Sequence, residues 1–437
     1  MRQYTKWIFY AAVAVGVLFS ALCLFAVINE PTRLYRPDSS GYLHPAQELA
    51  TGYGYGATDR PPGYPLLAAA VYFLGGWEGY IALAGYLSML GGCVLIALAG
   101  AEYGGKTCGR AAGLLALFNL TLIANAPLLL SDTWFFLFAA LQFLLFVRFW
   151  KRDRLAPLLG CAAVAGWATL IRPINLFFIF PLLTLAAVHP KLNWRRKLAG
   201  MAGAAAIFCA FVLPWMARNY AVGATFSIDT NTGAMRHQNG AMLLAEVNGT
   251  DFETEKSRLL AEEAAMRFSD VRSREKWRIA GFLRMVADHP FIYLRQHFDW
   301  RVLLPDVPTL LADFGAATPD RGTMGVLKRS GLVAAARHAL GPHWLGYLAL
   351  LFPLLAITGI LYAGTLWKLV ADCRRFRANW RELLIFLAAG EYYLLLPGAI
   401  TAPRYQLPAL PLLCTLSGMV VAELWTRYRS RNSSCAT

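Results

Sequence analysis

Apolar residues in this chain occur in long runs rather than in alternation. Runs able to cross about 30 Å of hydrocarbon lie at residues 7–29, 78–100, 110–130, 132–150, 155–171 and 174–188. Others lie at 198–218, 343–370, 382–400 and 407–425. Each is expected to be a helix, because a segment in lipid must satisfy its own backbone hydrogen bonds. The stretch 65–75 is too short to cross and is expected to re-enter the membrane or lie at its surface. The pattern predicts an all-α integral membrane protein with about ten transmembrane helices.

Two longer polar stretches interrupt this pattern, at 30–64 and 219–341. Within the second, Glu255–Ala287 carries Leu259, Leu260, Met266, Val271, Trp277, Phe282 and Val286 among polar neighbours, and a second such segment runs from Pro290 to Leu304. Both predict amphipathic helices that lid a cavity from the membrane surface or pack on the spans. The chain is thus expected to divide into a membrane module at 1–218, an external helical region at 219–341, and membrane helices with a basic tail at 342–437.

Composition narrows the class. At 57% hydrophobic and 15% charged residues, the chain departs from the quarter charged that soluble domains carry. A net charge of +15 could serve nucleic acid, but its distribution fits a membrane better. With ten crossings, segments 1–6, 101–110, 148–154, 189–197, 368–381 and 425–437 share one side and hold 20 of the 41 Lys and Arg. Only Glu102, Asp153, Asp372 and, at a boundary, Glu382 oppose them. This is the positive-inside bias, which places both termini in the cytoplasm. The 219–341 segment carries 15 basic and 14 acidic residues and falls on the other side. No nucleic-acid partner is expected.

Cysteines follow the same map: Cys23, Cys93, Cys161, Cys209 and Cys414 in spans, Cys108, Cys373 and Cys435 on the cytoplasmic face, and none in an external loop. Met1 to Ile28 lacks a small-x-small cleavage site and reads as a first span. Asn248-Gly249-Thr250 is a glycosylation acceptor pattern on the external side. High Ala, Gly and Arg content leans toward a bacterial inner membrane with the active face in the periplasm. Gly100, Gly105, Lys106 and Thr107 satisfy a phosphate-loop pattern, yet they join two membrane spans where that motif needs a strand and a helix. No nucleotide binding is expected.

Candidate chemistry gathers on the external side. Asp38 follows a proline and opens Ser39-Ser40-Gly41, a setting that also suits a turn or helix cap. Asp132 lies between the third and fourth spans. Arg60, Arg172, Arg218 and Arg404 stand in Arg60-Pro61-Pro62, Arg172-Pro173, Pro214-Trp215-x2-Arg218-Asn219 and Arg404-Tyr405. An arginine at one span end can simply snorkel to headgroups. Four at one face, beside two acids, suit an anionic lipid-linked substrate, because guanidinium binds phosphate through paired charge-assisted bonds. His289 and His297 lack metal-ligand spacing and read as interfacial or buried.

In order along the chain, these motifs resemble the GT-C membrane glycosyltransferases that use polyprenyl-phosphate sugars, including the protein O-mannosyltransferases and the lipid A aminoarabinose transferase. Asp38-x3-Tyr42-x3-Ala46 is similar to the family's first-loop motif, and Arg60-Pro61-Pro62-Gly63-Tyr64-Pro65 resembles its Arg/Lys-Pro-Pro segment. The resemblance implies inverting transfer of a sugar from a polyprenyl-phosphate donor to a glycan, lipid or protein acceptor on the non-cytoplasmic face. It implies Asp38 as base, Asp132 as second acid and Arg60 as phosphate contact. Tyr42, Tyr64, Arg172, Arg218, Arg404 and Tyr405 follow as substrate-binding residues. Many relatives carry Glu directly after the first Asp, where this chain has Ser39. A divalent metal held by Asp38 and Asp132 is therefore a candidate and not a requirement. Two other readings stay open: a lipid-linked saccharide polymerase or ligase relying on His289, Arg295 and His297, and a transporter, for which internal repeats are the expected sign.

Overall fold

The structure, a computed structural model, describes residues 2–316, 322–375, 380, 390, 392–398 and 400–434. Among them every regular element is helical. The first span forms α1 (Arg2–Ile28), and the segment after it supplies α2 (Ser39–Ala50) and α3 (Gly63–Tyr72). The short apolar stretch at 65–75 thus belongs to α3, which packs on α2 and buries Tyr64, Pro65 and Ala68.

Next comes α4 (Glu78–Leu117), which reverses at Gly105 with φ 84°, a left-handed conformation that glycine adopts without a side-chain clash. Its two arms pack through small residues: a Cβ on Gly109 would stand 2.4 Å from the Ala97 carbonyl oxygen. Such close approach is how helices associate where no hydrophobic drive exists between them. The phosphate-loop pattern therefore has a packing explanation, with Gly105 as the hairpin turn and Gly100 against Gly109 and Ala112.

The expected continuous span at 110–130 is broken. Its helix stops at Leu117, and Asn119 caps α5 (Leu120–Asn125) by accepting from the Leu122 amide at 2.9 Å. Past Ala126 the chain turns, buried, toward Asp132, with Pro127 unable to donate a backbone hydrogen bond that would continue the helix. Beyond lie α6 (Asp132–Arg152), α7 (Leu155–Ile171), a 3₁₀ turn at Pro173–Phe178, α8 (Ile179–Val188) and α9 (Trp194–Ala221).

The 219–341 region holds α10 (Asn239–Asn248), α11 (Phe252–Ala264), α12 (Val271–Asp288), α13 (Pro290–Gln296), α14 (Val307–Asp313) and α15 (Thr323–Leu340). The stretch expected as one helix over Glu255–Ala287 is two, because Asp270 and Ser273 form a capping box that starts α12 afresh. Pro290–Leu304 likewise divides into α13 and a 3₁₀ turn at Trp300–Leu303, which packs on the turn at Pro403–Ala409. Asn248 ends α10, and its side-chain amide donates to Glu255 at 2.8 Å.

The chain closes with α16 (Trp344–Arg374), α17 (Tyr392–Leu395) and α18 (Leu410–Ser434), the last packed along α4. Among the described residues, six helical segments are long and apolar enough to cross a membrane: Lys6–Ile28, Glu78–Leu117, Asp132–Arg152, Trp194–Ala221, Trp344–Arg374 and Pro403–Arg431. Leu155–Ile171 and Pro173–Val188 are shorter apolar helices. Most of the expected span 382–400, with Glu382, lies outside the described residues, as does Cys435. Ten crossings are compatible with this set.

A closed polar network ties three segments of the bundle. Gln142 of α6 donates to the Tyr393 hydroxyl at 3.0 Å, Tyr393 donates to Asn175 at 2.5 Å, and all three side chains are buried. Asn175 completes the ring by donating to Gln142 at 3.3 Å. In an apolar interior such groups stay only where each finds a partner.

Candidate active site

Asp38 precedes α2 in a tight turn in which the Ser39 amide donates to the Arg36 carbonyl, and the Arg36 amide to Ser39 Oγ, both at 2.9 Å. It stands where a cap would, but its carboxylate makes no capping bond. Instead Oδ1 accepts from Arg60 Nη2 and Oδ2 from Arg404 Nη2, each at 3.1 Å. The Asp38 side chain is 44% exposed, open enough for a substrate to reach it.

Asp132 opens α6 and its side chain is 6% exposed. It accepts a hydrogen bond from Arg172 Nη1, and Arg404 Nε lies 3.9 Å from its Oδ2. Arg404 therefore spans both acids. The Tyr405 ring stands below Arg172 and Arg404, 5.5 and 5.6 Å from their guanidinium carbons.

Arg60 reaches the same point from a loop held by packing. A Cβ on Gly63 would lie 2.6 Å from the Leu170 carbonyl, so only glycine lets this loop close against the end of α7, next to Arg172. Arg60 rests over the Tyr42 ring at 4.6 Å, and Tyr42 meets the buried Tyr64 edge-on at 5.1 Å. Ser131 donates to the Tyr42 hydroxyl at 3.2 Å, linking this aromatic floor to the residue before Asp132. Burial works against the Arg60 charge, but Tyr42 and Asp38 outweigh it and hold its pKa above the ordinary guanidinium value.

Three guanidiniums, of Arg60, Arg172 and Arg404, converge on two carboxylates by direct contact. The Nε groups of Arg60 and Arg404 are buried without a hydrogen-bond partner. Buried donors of this kind call for an acceptor, and an anion between these arginines would supply one.

Arg218 is not brought to the carboxylates. It donates to the Tyr55 carbonyl and, at 2.9 Å, to the Ala57 carbonyl, while stacking on Trp215 at 4.8 Å. Tyr55 in turn donates its hydroxyl to the Arg60 carbonyl at 2.8 Å. From the 219–341 region, the Thr230 amide donates to the Thr58 carbonyl at 2.9 Å and Asn231 to the Asp59 carbonyl at 2.5 Å. Arg218 thus shapes the loop that presents Arg60. His297 lies apart, its Nδ1 2.9 Å from the Tyr293 carbonyl, and Arg295 pairs with Glu246.

Sequence reasoning gave no role to Arg36, Asp306 or Asp313, which support the site from behind. Asp313 is buried in α14, with Arg36 Nη2 at 3.4 Å, and Arg33 donates to its carbonyl at 2.9 Å. Burial pushes the Asp313 carboxyl up to about 8, against the opposing pull of Arg36. Asp306 accepts from Asn125 of α5 at 3.1 Å. The available signal was two acids in the otherwise apolar run from Val302 to Asp313, which marks them for burial.

A divalent metal fits this donor set poorly. Hard cations take six to eight oxygen ligands as a rule. Among the described residues no group of three or more His, Cys, Asp or Glu is placed to hold a metal. Both carboxylates also face guanidiniums, whose charge repels a cation.

Residues 59–217 match the family model of dolichyl-phosphate-mannose-protein mannosyltransferase. That segment contains Arg60, Asp132 and Arg172. No curated protein matches the chain. Among solved structures, the apo oligosaccharyltransferase of Archaeoglobus fulgidus aligns with 100% of this chain and 53% of its own, at 13% identity and a TM-score of 0.52. ArnT from Cupriavidus metallidurans in the apo state aligns with 97% of this chain and 62% of its own, at 16% identity and a TM-score of 0.48. ArnT from the same organism bound to undecaprenyl phosphate aligns over 93% and 59%, at 15% identity and a TM-score of 0.49. The chain spans 53% to 62% of the length of these proteins. The fold is thus shared with the Archaeoglobus fulgidus oligosaccharyltransferase, and residues 59–217 resemble a mannosyltransferase family of the kind the motifs pointed to.

Proposed function

We propose that this protein is an inverting membrane glycosyltransferase that moves a sugar from a polyprenyl-phosphate donor to an acceptor on the non-cytoplasmic face. The observation that carries the reading is Arg404, which contacts Asp38 and faces Asp132 while its buried Nε lacks a partner. The family model matched over 59–217 is named for a polyprenyl-phosphate sugar donor, which agrees with the phosphate chemistry of three converging arginines.

Without substrate, Asp38 occupies the guanidinium groups of Arg60 and Arg404. A donor phosphate competes for them, because each arginine can turn one edge to phosphate oxygens while the other keeps its carboxylate. Asp38 is then the group placed to take the proton of an acceptor hydroxyl. That oxygen bonds to the anomeric carbon as the bond from this carbon to the phosphate oxygen breaks. The proton goes to Asp38, and the electron pair leaves with the polyprenyl phosphate. The phosphate gains negative charge in this step, and Arg60, Arg172 and Arg404 stabilise it. Asp132 remains paired with Arg172 and holds it toward the phosphate.

In the orientation set by the basic segments, this site lies in the periplasm of a bacterial inner membrane. The acceptor is a glycan, a lipid or a protein.

The test is transfer by purified protein given a polyprenyl-phosphate sugar. Asp38→Asn is expected to bind the donor and to lose at least about 10²-fold in transfer rate, the low end of what a general base contributes. Wild-type turnover in that variant would remove Asp38 from the mechanism.

A further inference from the structure

At the end of the bundle opposite Asp38, two apolar cavities of about 800 and 570 Å³ adjoin one another. Phe9, Arg110 and Leu114 line both. The larger lies between the start of α1, the second arm of α4 and the end of α18, where Leu424 and Trp425 complete its wall. The smaller lies between α1 and the two arms of α4. α1 and α18 both run from the active site to this end, so the cavities and the catalytic residues lie at opposite faces of one bundle.

Three cations rim the larger cavity: Lys6, Arg110 and Arg429. Arg110 lies 5.3 Å from the Phe9 ring and Arg429 4.9 Å from that of Trp425. Among the described residues, none of the three is seen in an ion pair. Exposed Trp7, Tyr10, Trp425 and Tyr428 stand at the same level, the aromatic belt that marks the headgroup region. From Phe9 the smaller cavity follows α1 to Val17, a distance of roughly 12 Å at helical rise, close to one leaflet of hydrocarbon.

We propose that this groove binds one anionic glycerophospholipid of the adjoining leaflet, with its phosphate at Arg110 and Arg429 and one acyl chain in each cavity. Two apolar cavities that meet at a single arginine match a headgroup carrying two chains. Uncompensated positive charge at headgroup depth selects an anionic lipid over a zwitterionic one. The lipid would wedge α1 against the α4 hairpin and α18, which otherwise leave these apolar walls uncovered. This role is independent of the donor lipid and of the transfer reaction.

The test is native mass spectrometry of the full chain released from nanodiscs made of equal parts phosphatidylglycerol and phosphatidylcholine. The wild type is expected to retain one phosphatidylglycerol in preference. Arg110→Ala and Arg429→Ala should each lower that preference roughly fivefold, the effect of removing one cation near a charged lipid surface. Ala12→Trp keeps every charge and fills the larger cavity, so it should reduce retention of both lipids. Equal retention of the two lipids by the wild type would overturn the proposal. So would unchanged retention in the folded variants, or retention of a single-chain polyprenyl phosphate in place of the diacyl lipid.

Discussion

Arg404 Nη2 donates to Asp38 Oδ2 at 3.1 Å, joining the segment between α1 and α2 to the turn before the last helix across 366 residues of sequence. The contact closes the bundle around the candidate site, because Arg404 also points its Nε at Asp132. Both ends of the chain therefore build the site, and several consequences can be measured.

Removing Arg404 should weaken donor use more than it harms the fold. Arg404→Ala is expected to raise the apparent KM for the donor and lower kcat, each by about tenfold or more, given 1.5–3 kcal/mol for a hydrogen bond to a charged group. Arg404→Lys keeps the charge but cannot serve two carboxylates and a phosphate at once, so it should recover only part of the loss. Unaltered donor kinetics in the alanine variant would rule out a phosphate role.

Arg218 should behave differently, since it holds the Tyr55–Ala57 backbone and not the carboxylates. Arg218→Ala is expected to loosen the loop that presents Arg60, making residues 51–62 more open to proteolysis while donor use declines. Limited proteolysis followed by mass spectrometry reads this directly. A loop as resistant as the wild type's would remove Arg218 from that role.

Asp313 gives a pH signature. Its carboxyl titrates near 8 in the folded protein and near 3.8 when unfolded, so between these values the native state binds the extra proton. Stability linked to this group is present below the unfolded value and declines as pH rises toward 8. The wild type should therefore lose a few degrees in Tm between about pH 5 and pH 8, and Asp313→Asn should flatten that slope. Parallel slopes in the two proteins would show that Asp313 is ionised throughout.

Chelation is expected to leave transfer unchanged. The two carboxylates are occupied by guanidiniums, and no third acidic ligand stands with them among the described residues. A rate that falls with EDTA and returns with Mg²⁺ or Mn²⁺ would show that substrate phosphate completes a metal site after all.

Most of the site residues were legible from the sequence because each sits beside a local breaker. Asp38 follows Pro37, Arg60 precedes Pro61, Arg172 precedes Pro173, and Arg404 follows Pro403. Proline ends helices, so charged residues next to it fall at element ends, in the turns that gather at one face of the bundle. Asp306 also follows a proline, Pro305, but neither it nor Asp313 stands in a motif that ties it to the site. Their place depends on α14 packing against α5, a contact between distant segments that no periodicity encodes.

The sequence by itself determined an all-helical membrane protein, its charge bias and the motifs at its span ends and polar segments, because hydrophobic run length and the cost of burying charge act locally along the chain. Tertiary structure alone decided that the span at 110–130 is broken at Asn119 and that Arg218 serves the loop rather than the acids. It also decided that Asp38 is gripped by Arg60 and Arg404 instead of capping α2. The roles of Arg218 and Asp38 turn on which distant donor or acceptor is in reach, and only the packed bundle sets those distances.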